Sequence, residues 1–338
     1  MTDNGILRGR LLLVAFEGWN DAGEAATGAL RVLRDQLDVV AIADVDTEEY
    51  FDFQFNRPNV TVDDDGKRVL VWPGATIFGP DDTTDDLSAG TTGEANSADE
   101  DAAVVSGETG TDSDPASDTD SAAAVVPAEP AGGADRSQVY LLIGSEPSRN
   151  WRKFTAEILA TALAEDVTGI LLLGAMLADV PHTRPISVFA TSENPIVRSE
   201  LDIERSTYEG PVGILSAIAE AAENEGIPTI SIWASVPHYV HNAPSPKATL
   251  ALIDKLEEFI DIEVDRGELV DESTAWESGI DALAGDDEDM AAYIQQLEQA
   301  RDTVDSPEAS GEAIAQEFER YLRRRGDGRA GDEPWRRE

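Results

Sequence analysis

A three-layer α/β domain with a mostly parallel sheet, followed by a small helical appendix, is the fold class the sequence predicts. Three observations point to it. The run Leu11-Leu12-Leu13-Val14-Ala15-Phe16 is apolar without alternation, as in a strand buried on both faces. Strand-like runs then alternate with helix-like runs, the pattern of βα units. From about Thr274 onward the periodicity is helical only.

The elements follow in chain order. Ala22, Ala26, Ala29, Leu33 and Leu37 stand at helical spacing and predict a helix over 22–36. A second strand covers 39–45. The short apolar runs 60–62 and 69–72 flank Asp65-Gly66, a hairpin signal. The sheet resumes at 139–143, and Phe154, Ile158 and Ala162 mark a helix over 151–165. Further strands are expected at 169–173 and 186–190. A helix over 211–225 starts with Pro211 and stops before Gly226, the usual asymmetry of helix ends. The last strand is 229–233. Ser245-Pro246 opens a helix over 246–261 with Leu250, Ile253, Leu256 and Ile260 facing inward. In the appendix, Trp276, Ile280 and Leu283 mark one helix, and Met290, Tyr293, Ile294 and Leu297 a second. Ala313, Ile314, Phe318 and Leu322 mark a third, closed by Arg323-Arg324-Arg325 where cations favour the C-terminal dipole.

Charge is distributed unevenly. The 338 residues carry 25 Lys and Arg against 68 Asp and Glu, a formal net charge of −43. That balance argues against a nucleic-acid partner, since neutralising phosphates needs clustered cations. The segment 81–135 holds 15 acidic residues, no Lys or Arg and no aromatic. It cannot bury enough apolar surface to offset its ordering entropy and is expected to be a disordered acidic insertion. The implied organisation is an α/β domain from 1–80 and 136–265, the insertion 81–135, a helical appendix 266–325 and a flexible tail 326–338. The absence of Cys excludes disulfides, thiolate zinc sites and Cys nucleophiles. No apolar stretch approaches the roughly 20 residues of a membrane span. Residues 1–10 lack a signal-peptide core, so no membrane association and a cytoplasmic location are expected.

Open α/β sheets bind ligands beyond the carboxyl ends of their strands. The loops there are 17–23, 144–151, 174–185 and 235–242, and they contain all three histidines, His182, His238 and His241. Glu17, Asn20, Asp21, His182, Arg184 and His238 are therefore the candidate ligand or partner site. Arg184 and the first helix N-terminus suit an anion, and a His–carboxylate pair suits proton transfer. Each residue also has a structural role to weigh. Asp21, with Glu24 three residues on, reads as a helix N-cap with its reciprocal partner. His182 and Arg184 read as loop-shaping hydrogen-bond donors. His238 and His241 do not make up the three fixed ligands of a zinc site. Asp44-x-Asp46-x-Glu48 lacks the glycine of a calcium loop. Phosphate-loop, dinucleotide and nucleophile-elbow motifs are missing. No metal, no cofactor and no catalytic residue is assigned.

Four segments taken in order are distinctive: 14–23 (VAFEGWNDAG), 181–185 (PHTRP), 208–214 (YEGPVGI) and 231–240 (SIWASVPHYV). Together they resemble the PAC2 family, the proteasome-assembly-chaperone-2-like group, in its actinobacterial form. The resemblance covers about 5–79 and 137–262, and the appendix, with Ser310-Gly311 and 318–322, is similar to that form as well. It implies a three-layer α/β/α fold of phosphorylase/hydrolase-like type and a homo-oligomer, as a closed ring a trimer. It implies no known reaction. The namesake chaperones dock through a hydrophobic-Tyr-X tail, whereas this chain ends Pro334-Trp335-Arg336-Arg337-Glu338. A link to ATP-grasp enzymes fails on the lysines: Lys67, Lys153, Lys247 and Lys255 form no recognisable nucleotide arrangement.

Two functions follow as expectations. One is a non-catalytic, chaperone-like binding protein with proteasome subunits, or another complex under assembly, as partners. The alternative is a small-molecule-binding protein or hydrolase/phosphorylase-like enzyme using the strand-end loops. Convergence of the six candidate residues on one enclosed pocket would favour the second, and their dispersal into caps and structural hydrogen bonds the first.

Overall fold

In the computed structural model the described residues are 7–63, 65–81, 138–241, 243–260 and 262–306. The expected acidic insertion from 82 onward, the third appendix helix and the tail lie outside them. The chain divides into Met1–Pro80 with Ala134–Glu338 as one unit and Asp81–Gly133 as the other. All elements below belong to the first.

Seven strands form one mixed sheet in the order β2-β5-β6-β1-β7-β9-β8. Its centre is parallel: β6 (Val139–Ser145), β1 (Arg10–Glu17), β7 (Val167–Ala178) and β9 (Thr229–Pro237). The flanks are antiparallel: β5 (Ala75–Pro80) and β2 (Val39–Asp44) on one side, β8 (Val188–Thr191) on the other. The continuous apolar run in β1 has the predicted cause. Leu11, Leu13 and Ala15 pack with helices α1 (Ala25–Gln36) and α6 (Pro246–Ile260) on one face. Leu12, Val14 and Phe16 pack with α3 (Trp151–Ala164) and α5 (Ile214–Asn224) on the other. Each such Leu, fully removed from water, contributes about 1.5–3 kcal/mol.

Several boundaries differ from expectation for identifiable reasons. The helix expected from 22 breaks first: Ala22–Glu24 is a 3-10 turn, with Gly23 at φ 63° and Glu24 at φ 51°, and α1 begins at Ala25. The helix expected from 211 begins at Ile214, because Gly213 is extended. β5, α2 (Thr47–Tyr50) and α4 (Pro195–Leu201) were not anticipated. α4 carries a legible start, since the Asn194 side chain accepts from the N–H groups of Ile196 and Val197 and Pro195 stands in the first turn.

A separate two-stranded sheet, β3 (Asn59–Val62) and β4 (Arg68–Val71), forms the hairpin signalled by Asp65-Gly66, and Gly66 takes the left-handed φ of 77° that the turn demands. In the appendix, α7 (Leu269–Gly285) and α8 (Glu288–Val304) bury Ile280, Ala284, Ile294 and Leu297. Asp287 caps α8 by accepting from the N–H groups of Asp289 and Met290.

Candidate functional site

The six candidate residues lie in two groups at the carboxyl ends of the parallel strands. The first group surrounds the end of β1. Neighbouring strands β1 and β6 lead to helices on opposite faces, α1 and α3, the arrangement that opens a ligand crevice in many α/β proteins. Here the chain fills it. Asp21 is buried, and its Oδ1 accepts from the backbone N–H groups of Ala26 (2.7 Å) and Thr27 (3.4 Å), while the Thr27 hydroxyl donates to Oδ2. The cap is thus real, but it reaches past the 3-10 turn and has no reciprocal bond from Glu24. Burial pushes the Asp21 carboxyl above its ordinary range, opposed by these hydrogen bonds and by Arg31.

Glu146, from the loop after β6, does the same for α5. Its Oε1 accepts from the Ile214 N–H (2.8 Å) and from Asn20 Nδ2 (3.2 Å). Asn20 is itself buried, its carbonyl accepting from Ala175 N–H of β7 at 2.7 Å. Only glycine fits at 213, because a Cβ there would collide with the Asn20 amide. Glu17 is exposed; it pairs with Arg31 and accepts from the Ser145 hydroxyl at 3.1 Å. Trp19, next to Asn20 in the chain, is 73% exposed, and Tyr208 and Val212 on the segment leading into α5 are exposed as well.

The second group fastens the appendix. His182 is fully buried. The Tyr239 hydroxyl accepts from the His182 backbone N–H (2.8 Å) and lies 2.8 Å from His182 Nδ1. His182 Nε2 lies 3.1 Å from Asp281 Oδ1 of α7; a carboxylate there accepts, so this nitrogen is the donor of that bond. Lys247 donates to the His182 carbonyl (2.6 Å) and to Glu277 of α7 (2.5 Å). Burial pushes the Tyr239 hydroxyl up to about 12. Arg184 grips Asp302 of α8 with two bonds, 2.8 and 2.9 Å, which hold the Asp302 carboxyl below its ordinary range. His238 Nδ1 lies 3.3 Å from Asp179, and its ring stands edge-on to Tyr239 and Tyr293.

No hydrogen bond or ion pair joins the two groups among the described residues. An open depression of about 380 Å³ lies beside the second, lined by Thr183, Asp281, Ala284, Ile294 and Glu298 among others. No cluster of metal-ligating side chains occurs among the described residues. Nor is any helix among them long and apolar enough to cross a membrane. Residues the sequence did not single out complete both groups. Glu146 stood in a strand-end loop and was recoverable; Asp281 and Asp302 lie in the appendix, where nothing local signals a partner for a distant histidine or arginine.

The sequence model of the PAC2 family matches residues 15–284, from the middle of β1 to the end of α7. The chain belongs to the PAC2 family. Among solved structures, this PAC2 chain is similar to a PAC2 family protein from Streptomyces avermitilis, with 35% identity, a TM-score of 0.62, and coverage of 84% of this chain and 99% of that one. It is also similar to a Mycobacterium tuberculosis proteasome-assembly chaperone homologue, at 32% identity and a TM-score of 0.60 over the same shares. An archaeal proteasome activator from Pyrococcus furiosus shares the fold alone, at 10% identity and a TM-score of 0.55, covering 82% of this chain and 93% of that one. No curated protein matches the sequence.

Proposed function

We propose that this PAC2 protein is a non-catalytic, chaperone-like binding protein that docks partners at the carboxyl edge of its sheet, with proteasome subunits under assembly as the partner class. The observation that supports it most is the occupied crevice: Asp21 and Glu146 hold the N-termini of α1 and α5, the places where an anionic ligand would bind, while Trp19, two residues before Asp21, stays in water. Buried, fully bonded carboxylates suit a rigid platform. Exposed Trp19, Tyr208 and Val212 suit a protein contact, since Trp and Tyr dominate the energetics of interfaces. Similarity to a proteasome-assembly chaperone homologue supports the partner class. Self-association into a closed ring, a trimer, and a cytoplasmic location belong to the same proposal.

An assembly factor must bind its client better before assembly than after. In the test, the purified protein and its Trp19→Ala variant are mixed with isolated proteasome α subunits, isolated β subunits and the finished particle. Native gels at low salt are expected to show a complex with α subunits, weakened at least tenfold by the substitution and by added salt, and none with the finished particle. No complex with either subunit would overturn the partner assignment.

A second reading has one observation in its favour: the Tyr239–His182–Asp281 chain beside the open depression. A small-molecule site there would bind a ligand that the His182→Ala variant does not.

A further inference from the structure

We infer that the groove between α7 and α8 is the docking site of this chain's own segment 313–325, which lies antiparallel to α8 as a third helix of the appendix. The walls of the open depression include Ala284 and Gly285 of α7 and Ala291, Ile294 and Gln295 of α8. With Glu298, the α8 residues stand three and four apart, so they share one face of that helix. Small side chains on both walls let another helix approach closely, and a depression of about 380 Å³ has room for an aromatic ring. The segment supplies the complement. Ile314, Phe318 and Leu322 repeat every four residues, the apolar stripe of a helix that needs a surface to lie on.

Chain length and charge select the occupant and its direction. α8 ends at Val304, and the eight residues 305–312 suffice to reverse the chain, with Pro307 among them to stop α8 from continuing. So short a tether holds the segment at an effective concentration of about millimolar, far above that of a second copy at micromolar. As a helix, 313–325 matches the span 291–304 of α8, about 20 Å in each case. Running antiparallel, it brings Arg323, Arg324 and Arg325 to the turn Asp286-Asp287-Glu288-Asp289. No Lys or Arg pairs with those four carboxylates among the described residues. Glu312, Glu317 and Glu319 fall at the other end, where Arg301 and Arg184 offset the acidic residues of α8. The signs survive a full count: 269–304 holds ten acidic residues against Arg301 alone, and 320–325 holds four Arg and no acid. A parallel course would set the three glutamates against the acidic turn instead.

Disulfide trapping in the full chain tests this, because the chain has no Cys of its own. Gln295 is exposed, so Gln295→Cys leaves the core untouched. It is paired with Tyr321→Cys, level with it in the antiparallel arrangement, or with Ala313→Cys, two turns away. A disulfide needs Cα atoms within about 7 Å. Under mild oxidation at micromolar protein the 295/321 pair is expected to close within one chain at least tenfold faster than the 295/313 pair. Adding Arg323→Glu/Arg324→Glu/Arg325→Glu should slow that closure at least tenfold at low salt, with the difference shrinking near 1 M salt. Equal rates for the two pairs would mean an undocked segment, and bonds formed mainly between chains would mean a second copy in the groove; either result overturns the inference. A readout without cysteines uses Phe318→Asp in the otherwise unaltered chain. Amide exchange in α7 and α8 should quicken at least tenfold while that in β1 stays the same. Unchanged exchange in α7 and α8 would overturn the inference as well.

Discussion

Asp21 and Glu146 show how a single carboxylate can settle the chemistry of a sheet edge. Each accepts from a helix N-terminal N–H, so each takes the place of an incoming anion. Asp21→Ala would leave the Ala26 N–H and the Thr27 hydroxyl without their acceptor inside the protein, at a cost of about 1–3 kcal/mol in urea unfolding. Asp21→Asn keeps one acceptor oxygen and should cost less. The pH dependence has a definite sign. Burial raises the native pKa of Asp21 above its ordinary 3.8, so the folded state holds the proton more tightly than the unfolded state. The group's pH-linked stabilisation is complete below 3.8 and is lost as pH rises through the native value. The wild type should therefore gain stability relative to Asp21→Asn as pH is lowered from 7 towards 4, measured by paired denaturant titrations.

At the scale of elements, the appendix is held to the α/β domain by side chains from a strand-end loop and from α6. His182 of the loop and Lys247 of α6 reach α7, and Arg184 of the loop reaches α8. His182→Ala removes a fully buried ring and takes one of two partners from the Tyr239 hydroxyl, so it should destabilise by about 1–3 kcal/mol. It should also speed hydrogen exchange in α7 and α8 more than in the central strands. Arg184→Ala, whose ion pairs lie in solvent, should leave unfolding nearly unchanged. Elements were legible in the sequence where burial is strong and local, as in β1 and α6, or where turn residues mark them, as Asp65-Gly66 marks the exposed hairpin. β5 was not, because ATIFGP ends beside the acidic segment and its pairing with β6 depends on residues far along the chain. Loop order in the sequence was enough to place the six candidate residues at the carboxyl ends of the parallel strands. Their division into two groups was not legible, because the partners that divide them, Glu146, Asp281 and Asp302, are chosen by tertiary contact rather than by spacing.

For the whole molecule, the antiparallel pairing of β5 with β6 matters most. Phe78 pairs with Leu141 and Ala75 with Gly144, which brings the end of β5 and the start of β6 side by side. Replacing 81–135 with a short linker therefore asks for no more than a hairpin loop, and closure entropy changes only logarithmically with its length. The shortened protein should keep its melting temperature within a few degrees by calorimetry; loss of folded protein would show that the segment is structural. The same connectivity has a consequence for synthesis. Leu13 of β1 finds its sheet neighbours in Leu141 and Leu171, both made far later than itself. At typical translation rates the most apolar strand waits on the order of ten seconds for either neighbour to leave the ribosome. During that interval Leu11 to Phe16 has no sheet to enter, and the nascent chain must be kept from aggregating by its own acidic residues or by the cell's general folding helpers.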